Sequence, residues 1–456
     1  MKKLVYLMIS AVFLGTQILA LDIGVMKLSL YRISLILLLG MFLIYIVRND
    51  ARLKFYPNRT SFHFMFFYGV WLLYGIISVL WLENLAAWGK ANFFIACGFI
   101  SIFFIYQFIK SKADIWRVFQ IIAGALLLHN LIGWMEILTG YYPFADLAKL
   151  DRYRTFATQP MTRIPISIYA NQNDYATMLL AGAFITYILF KSTKNAYLKI
   201  GYMSLIVSTS YLIIRTDSRA NILAALIGIV VLLVIKFRYL VTAKQAIAAV
   251  LIALAIGLVG MIVIPAGQEI GREILLIIFD TSNPDGSSNK TRLNLIRNGF
   301  VFLSNTFGLG VGAGNIEHWM AQRPVFDVST KTNMHNWWME ILTGYGAGIF
   351  LAYLIIFFLM LRYLYHFYIT DRDADIRHAS FILIGYLSAF VLSSISSATN
   401  IIIEWQWLMF GVIIAFIGMV EAREEAAGKV KTNNRGMNLH TYLGGKNGEF
   451  NISKRT

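Results

Sequence analysis

Two arginines that could hold a diphosphate lie four residues apart in the segment Arg215-Thr-Asp-Ser-Arg219, between two long apolar runs. On a continuing helix, side chains four residues apart share a face. Guanidinium groups bind phosphate oxygens through paired hydrogen bonds and keep their charge. The pair therefore predicts a diphosphate clamp. The alternative is structural: Asp217 would pair with one arginine, and the other would reach toward lipid head groups.

A histidine that could accept a proton lies where a polar segment becomes an apolar run. This residue is His335, and Glu340 follows it within the run. Asn333 or Thr332 could cap a helix that begins here. A helix N-terminus disfavours added positive charge, so the imidazole is expected to stay neutral and able to accept a proton. The alternatives are a histidine bonded to a backbone carbonyl and a glutamate in a buried helix–helix hydrogen bond.

Further polar groups are expected on the same side of the membrane. Asn171, Asn173 and Asp174 begin an apolar run, and Arg292 and Arg297 lie in a long connection between two runs. Ionisable groups near membrane depth are costly and usually face a cavity or a partner. These residues are therefore candidates for substrate contact.

Glycines alternate at positions 308, 310, 312 and 314, within Phe-Gly-Leu-Gly-Val-Gly-Ala-Gly-Asn. No strand precedes them, so they are not a dinucleotide-binding fingerprint. They predict a flexible backbone that packs closely on a ligand or a helix. No group of His, Asp and Glu residues has the spacing of metal ligands, and the turn from Asp280 to Gly286 misses the calcium-loop register. We therefore expect neither a metal nor a cofactor.

The composition is that of a membrane protein. Of the 456 residues, 58% are hydrophobic and only 14% are charged, whereas soluble domains carry roughly 25% charged residues. Apolar runs of about 20 residues, long enough to cross a bilayer, recur along the chain. The predicted fold class is an all-α polytopic membrane protein with about 12 transmembrane helices. The net charge of +16 is assigned to cytoplasmic loops that fix orientation, rather than to nucleic-acid binding.

The apolar runs divide the chain into six segments. Basic residues in the short loops alternate as expected for a chain with both termini in the cytoplasm. The first run, over 4–20, is interpreted as an uncleaved helix rather than a signal peptide, and the ninth is placed at 246–265. The predicted segments are transmembrane helices 1–5 within residues 1–138, a first long outer loop at 139–169, helices 6–9 within 170–265, a large outer, catalytic loop at 266–338 between helices 9 and 10, helices 10–12 within 339–420, and a disordered cytoplasmic tail at 421–456.

One segment occurs twice. Trp134-Met-Glu-Ile-Leu-Thr-Gly-Tyr141 recurs unchanged as Trp338 to Tyr345, and a His-Asn pair precedes each copy. One copy is expected to end a helix and the other to begin one, so the two helices run in opposite directions. A simple tandem repeat does not explain this arrangement. Beyond the preference of Trp and Tyr for the membrane interface, the residues alone offer no physical account of it.

The motifs, taken in order, resemble the O-antigen ligase and polysaccharide polymerase (Wzy-type) family of bacterial envelope enzymes. The resemblance covers residues 170–365 by motif and the rest by topology. The stretches that carry it are Asn171-Gln-Asn173-Asp174-Tyr-Ala, Ser218-Arg219-Ala220-Asn221, Thr291-Arg292 with the downstream glycine segment, and His335-Asn336 with Glu340, Gly344 and Gly346.

The resemblance implies a metal-independent, inverting glycosyltransferase in the bacterial cytoplasmic membrane, with its active site facing outside. Its donor would be a polyprenyl-diphosphate-linked oligosaccharide. The implied catalytic residues are Arg219 and Arg292, which would hold the diphosphate, and His335, which would assist the acceptor hydroxyl. The residues expected to bind substrate are Arg215, Arg297, Asn171, Asn173, Asn336 and Glu340.

Within this resemblance we favour polymerisation of lipid-linked repeat units into a capsule, exopolysaccharide, O-antigen or teichuronic-type glycan. The alternative within the class is a ligase that transfers the glycan to a different acceptor. A rival from another class is a lipid-linked oligosaccharide transporter or flippase, which would place charged residues along a central pathway. A nutrient sensor or scaffold has no positive feature in its favour. The expected partners are the lipid-linked donor, the bilayer, a chain-length regulator and a flippase, but no nucleic acid.

Overall fold

The computed structural model describes residues 1–22, 27–49, 55–151, 154–238, 245, 288–328, 331–396 and 400–428. This part of the chain is mainly helical, with one small antiparallel pair of strands in which Leu21 is the register partner of Leu28. Ten of its helices are long and apolar enough to cross a membrane. The predicted all-α polytopic fold class is confirmed. The count of twelve spans stays a prediction, since the ninth span and residues 266–287 of the large loop lie outside the described residues.

The elements of the described residues follow one another along the chain. They are α1 (Lys2–Val12), α2 (Gly15–Ile18), β1 (Ala20–Asp22), β2 (Lys27–Ser29), α3 (Leu30–Asn49), α4 (Thr60–Ile77), α5 (Leu85–Phe108), α6 (Lys112–Thr139), α7 (Leu147–Leu150), α8 (Gln172–Ser192), α9 (Ala196–Arg215), α10 (Arg219–Lys236), α11 (Ser288–Asn305), α12 (Ile316–Gln322), α13 (Trp337–Thr370), α14 (Ala374–Ser393) and α15 (Glu404–Ala426), with short 3-10 turns at Ser78–Leu80, Pro160–Thr162 and Asn400–Ile402.

Local polar residues set where the helices begin and end. Ser111 and Asp114 form a capping box at the start of α6, since each side chain accepts the other residue's backbone N–H. Asn84 caps α5 through the N–H of Ala87 at 2.9 Å. Gly140 ends α6 in the left-handed conformation at φ 72°.

The core of the bundle is built around α15. Every residue from Trp405 to Val420 is buried, as expected for a helix that is apolar on all sides. The rings of Trp71, Trp337 and Trp407 lie 5.2–5.8 Å apart. These contacts join α4, α13 and α15, so the start of α13 is fixed against the centre of the molecule.

The predicted cytoplasmic segments meet at one end of the bundle, which we call the charged end. Ion pairs link these segments across long sequence separations. They join Lys2 to Asp114 at 2.9 Å, Lys112 to Asp373 and Asp375 at 2.8 Å each, Arg59 to Glu425 at 2.6 Å, and Arg423 to Asp371. The predicted outer segments meet at the other end, which we call the site end and which carries the connecting residues 78–84, 160–171, 215–219, 306–315, 331–337, 394–396 and 400–403.

Two boundaries differ from the sequence prediction. The run 4–20 is not one continuous helix, because α1 ends at Val12 and the Phe13 carbonyl accepts a hydrogen bond from His129 Nε2 at 2.8 Å. The last span continues to Ala426, into the segment predicted as a disordered tail. Its extension is fixed by Glu421, whose carboxylate accepts the N–H of Thr60 at 2.9 Å. Residues 429–456 lie outside the described residues.

A broken helix shapes the site end. Gly346 interrupts α13 with φ 80° and ψ 174°, which only glycine adopts readily. The interruption exposes the carbonyls of Thr343 and Gly344. They accept the N–H groups of Val311 at 2.8 Å and Gly312 at 3.1 Å, so these two carbonyls are paired despite the interruption.

The alternating glycines permit this close backbone contact. A Cβ on Gly310 would lie 2.6 Å from the Gly346 nitrogen, and one on Gly346 would overlap the Gly308 carbonyl oxygen. Of the two alternatives predicted for the glycine segment, close packing on a helix is the one that the structure shows. We call residues 306–315 the glycine strap.

Candidate active site

A buried polar network joins the starts of α8 and α10. Ser218 Oγ donates to Asn173 Oδ1 at 2.7 Å. Asn221 Nδ2 donates to Ser218 Oγ at 2.9 Å and to Ser396 Oγ at 3.1 Å. Asn221 is fully buried. The network therefore ties three separate segments together, two of which carry predicted motif residues.

Asn171 has a structural role at the start of α8. Its Oδ1 accepts the N–H groups of Asn173 and Asp174 at 2.9 and 3.0 Å, and its Nδ2 donates to Asp174 Oδ2 at 2.7 Å. It is therefore an N-cap that orients the carboxylate of Asp174. The predicted substrate contacts of Asn171 and Asn173 remain predictions.

Arg215 and Arg219 do not share a helix face. Arg215 ends α9, and Arg219 begins α10 after a turn in which Asp217 has φ 52°. The Arg215 guanidinium donates to the carbonyls of Met161 and Arg163 at 3.0 and 2.9 Å. The expectation of a shared face was wrong because the helix does not continue through the turn, and the described residues show Arg215 holding the first outer loop.

Arg292 and Arg297 point to different sides of α11. Arg297 is exposed, and its guanidinium lies 5.6 Å from the ring centre of Phe326. Arg292 is half-buried, and it makes no hydrogen bond or ion pair with any other described residue. Burial lowers the pKa of the Arg292 guanidinium. A partly desolvated cation without a carboxylate partner is suited to bind an anion.

His335 is held in a sparsely populated backbone conformation. Its φ is 52°, which costs of order 1–3 kcal/mol outside glycine and persists only where the surroundings impose it. The next residue, Asn336, caps α13 by accepting the N–H groups of Trp338 and Met339 at 3.0 and 3.2 Å. The cap is therefore Asn336, and not Asn333 or Thr332 as expected.

Glu340 fixes a loop instead of reaching into open space. It is buried, and its carboxylate accepts the N–H of Asn400 at 3.0 and 3.1 Å and that of Ile401 at 3.2 Å. The N–H of Trp337 donates to Ser394 in the same loop at 3.1 Å. The helix–helix hydrogen bond considered as an alternative is not present, because the partner is backbone between two helices.

An apolar cluster brings the Arg292 helix against the His335 segment. Leu295 and Phe302 of α11 pack in one cluster with Met334 and Met339. Gly299 allows this approach, since a Cβ there would lie 2.7 Å from Thr343 Oγ1. The motif segments that begin at Asn171, Ser218, Thr291 and His335 are thus gathered at the site end.

Sequence reasoning missed Glu136 and Ser396. Glu136 is buried, and its Oε2 accepts the N–H groups of Ile166 and Ser167 at 2.8 and 2.9 Å. The signal was present, because Glu136 and Glu340 occupy the same place in the repeated segment. Ser396 carries no motif and could be found only from its contact with Asn221. Among the described residues, no three His, Cys, Asp or Glu side chains lie together in a way that could hold a metal ion.

Residues 204–354 match a protein-family model described as O-antigen ligase. This part of the chain is therefore similar to the O-antigen ligase family. The match begins within α9 and ends within α13, so it includes Arg219, Arg292, His335 and the glycine strap. The resemblance to this family is confirmed, and the chain is a multi-pass membrane protein of polysaccharide biosynthesis.

The similarity also extends beyond that region. The chain is 27% identical, over 418 residues, to the teichuronic acid biosynthesis protein TuaE of Bacillus subtilis (strain 168). The aligned region covers 91% of this chain and 84% of that protein. The similarity to this protein therefore reaches well beyond the residues that the family model matches.

Proposed function

We propose that the protein polymerises lipid-linked oligosaccharide repeat units into a cell-surface polysaccharide. The donor is a polyprenyl-diphosphate-linked glycan, and the reaction takes place at the outer face of the bacterial cytoplasmic membrane. The match to the O-antigen ligase family model and the similarity to a teichuronic acid biosynthesis protein support this class of reaction. The alternation of basic loops supports the outward orientation.

The observation that carries the proposal is the state of Arg292. It is half-buried, makes no ion pair among the described residues, and lies on a helix packed against the His335 segment. A diphosphate would supply an anionic partner for this guanidinium. Guanidinium groups in a poorly solvated site stabilise the charge that develops on leaving phosphate oxygens. In this proposal Arg219 and Arg292 supply that charge without a metal.

The reaction is a single displacement at the anomeric carbon. The acceptor hydroxyl oxygen forms a bond to that carbon while the bond from carbon to the diphosphate oxygen breaks. The bonding electron pair leaves with the polyprenyl diphosphate, which the arginines bind. The hydroxyl proton passes to the imidazole of His335, and a single attack inverts the configuration. Such proton transfer contributes about 10²- to 10⁴-fold to rate.

The first experiment supplies purified protein in proteoliposomes with one lipid-linked repeat unit as both donor and acceptor. A ladder of longer lipid-linked products is expected. His335→Ala should reduce ladder formation by about 10²-fold or more. Arg323→Ala is the control, because Arg323 lies in the same loop but pairs with Glu83 at 2.8 Å. Full activity of His335→Ala would exclude the base role.

The second candidate is a ligase, which the description of the matching family favours. A ligase would leave the repeat unit unextended in this assay. It would form product only when a different acceptor, such as lipid A core or a protein, is added. Absence of any covalent product with either acceptor, together with movement of the lipid-linked glycan between leaflets, would support a transporter and contradict both.

A further inference from the structure

The two copies of the repeated segment perform the same physical task. In the first copy, Glu136 accepts the N–H groups of Ile166 and Ser167. In the second, Glu340 accepts those of Asn400 and Ile401. Each glutamate is almost fully buried, and each binds two consecutive backbone N–H groups of one loop. The repeat is thus a loop-anchoring device.

The same anchoring occurs at a helix that ends at the site end and at a helix that begins there. α6 ends at the site end and α13 begins there, so the copies run oppositely through the membrane. In each case the glutamate lies within about two turns of the helix terminus, where it can reach a loop beyond it. The common sequence therefore follows from a common local task.

Both anchored loops lead into the polar network. The first loop continues from Ser167 to the Asn171 cap and to Asn173, which contacts Ser218. The second contains Ser396, which accepts a hydrogen bond from Asn221. The second loop also accepts the N–H of Trp337 through Ser394, so it bridges the segment of His335 and the segment of Arg219.

The chemistry explains why the anchor is a carboxylate. A carboxyl group offers two oxygens that can accept hydrogen bonds from N–H groups. Burial of such a polar group is costly unless these bonds are made. Glu340 uses both oxygens. Glu136 uses only Oε2, and its Oε1 has no partner among the described residues.

We propose that Glu136 and Glu340 are paired positioning residues, which fix from two sides the loops that place Asn173, Ser218 and Asn221 beside the catalytic segments. For Glu340 this replaces the expected direct contact with substrate. The effect on catalysis rests on the proposed function. The anchoring itself does not, because it can be measured without substrate.

Hydrogen exchange of the full-length protein in nanodiscs tests the anchoring. Glu340→Ala should speed exchange at Asn400 and Ile401 by about tenfold or more, the equivalent of one to two lost hydrogen bonds. Glu136→Ala should do the same at Ile166 and Ser167 and leave the other loop unchanged. Thr186→Ala is the control, because among the described residues this buried hydroxyl bonds to Gly182 of its own helix and to no loop. Unchanged exchange at the matching loop overturns the proposal.

Steady-state transfer kinetics test the positioning. Glu340→Ala should lower kcat by about tenfold with a smaller change in the donor KM, since misplacement of catalytic groups affects the transition state most. Glutamine keeps one acceptor oxygen, so Glu136→Gln should restore activity and Glu340→Gln should restore it only in part. If both glutamine variants behave alike, or if both alanine variants keep full kcat, the proposal fails. If the wild-type protein itself forms no product, the proposed function fails, and the exchange result alone decides the anchoring.

Discussion

Basic side chains have different partners at the two ends of the bundle. At the charged end, basic residues pair with carboxylates across long sequence separations, as in Lys112 with Asp373 and Arg59 with Glu425. At the site end, Arg163 and Arg215 donate to backbone carbonyls, and Arg297 lies over an aromatic ring. The pairs Arg32–Glu404 and Arg323–Glu83 also lie at the site end, but they include no residue of the candidate site.

The carboxylates differ in the same way. At the charged end they neutralise cations, whereas Glu136 and Glu340 accept backbone N–H groups. Among the described residues, Glu136 and Glu340 form no ion pair. The ion pairs of the charged end stabilise the fold, and we propose that the positive charge of Arg292 at the site end binds a ligand.

Among the substitutions that test this comparison, the one at Arg292 is expected to have the largest effect on activity. Arg292→Ala should reduce kcat/KM for glycan transfer by roughly 10²- to 10³-fold, as for loss of a group that stabilises transition-state charge. The thermal unfolding midpoint should change little, because no partner among the described residues is lost. Steady-state assays and thermal unfolding of the same preparations check this. A large loss of stability in Arg292→Ala would show that the residue is structural.

The next effect is expected at the break in α13, where Gly346 packs against the glycine strap. Gly346→Ala should lower stability by about 1–3 kcal/mol, because it forces a side chain into a left-handed conformation and against the Gly308 carbonyl. Gly348→Ala is the matched control, since a Cβ there meets nothing within 4 Å and alanine favours a helix. Denaturation in detergent measures the free energy of unfolding of both variants and of the wild type. Equal stability of the two variants would contradict the role of the broken helix.

A smaller effect is expected at Arg215. Arg215→Ala removes two hydrogen bonds to the carbonyls of Met161 and Arg163. Protection from hydrogen exchange should fall around residues 160–164. Transfer activity should fall by about tenfold or less, which corresponds to the loss of one hydrogen bond from a charged group at a half-buried site. A loss of activity as large as that of Arg292→Ala, with unchanged exchange, would instead support the diphosphate clamp.

The smallest effect is expected at the charged end. Partial burial raises the pKa of Asp373, but the hydrogen bonds from Lys112 outweigh this and leave it below the ordinary 3.8. The pair should therefore stabilise the fold above about pH 4, and the contribution should be lost as the pH falls through the folded-state pKa. Asp373→Asn should lower the free energy of unfolding by about 0–1 kcal/mol at neutral pH. It should have no effect on stability at a pH where wild-type Asp373 is protonated, and it should leave transfer activity unchanged. Unfolding measured against pH tests this, and a fall in transfer activity would contradict the division between the two ends.

Much of the fold could be predicted from the sequence, because the signal of a membrane helix is simply length and hydrophobicity. The start of α8 was placed well, since Asn171 marks it. The break after Val12 was not predictable, because it depends on His129, which is more than a hundred residues away. The kink at Gly346 likewise depends on backbone groups of the glycine strap.

The residue types of the candidate site could be read from the sequence, but their contacts could not. Arg215 and Arg219 looked equivalent in a short segment, and the turn at Asp217 places them on different helices. Glu340 looked like a substrate ligand because buried acids are often functional. Its actual partners are backbone N–H groups of Asn400 and Ile401, which no side-chain pattern reveals. Conversely, the repeated segment had no explanation until both loops were seen.

The most direct test of the central claim is the affinity of the purified protein for polyprenyl diphosphate and for polyprenyl monophosphate. Binding is measured in nanodiscs for the wild type, Arg292→Ala and the control Arg323→Ala. The diphosphate should bind the wild type and the control about tenfold or more tightly than it binds Arg292→Ala, the equivalent of one charge-assisted contact, and the monophosphate should show a smaller difference. Equal affinity of all three proteins for the diphosphate would contradict the account.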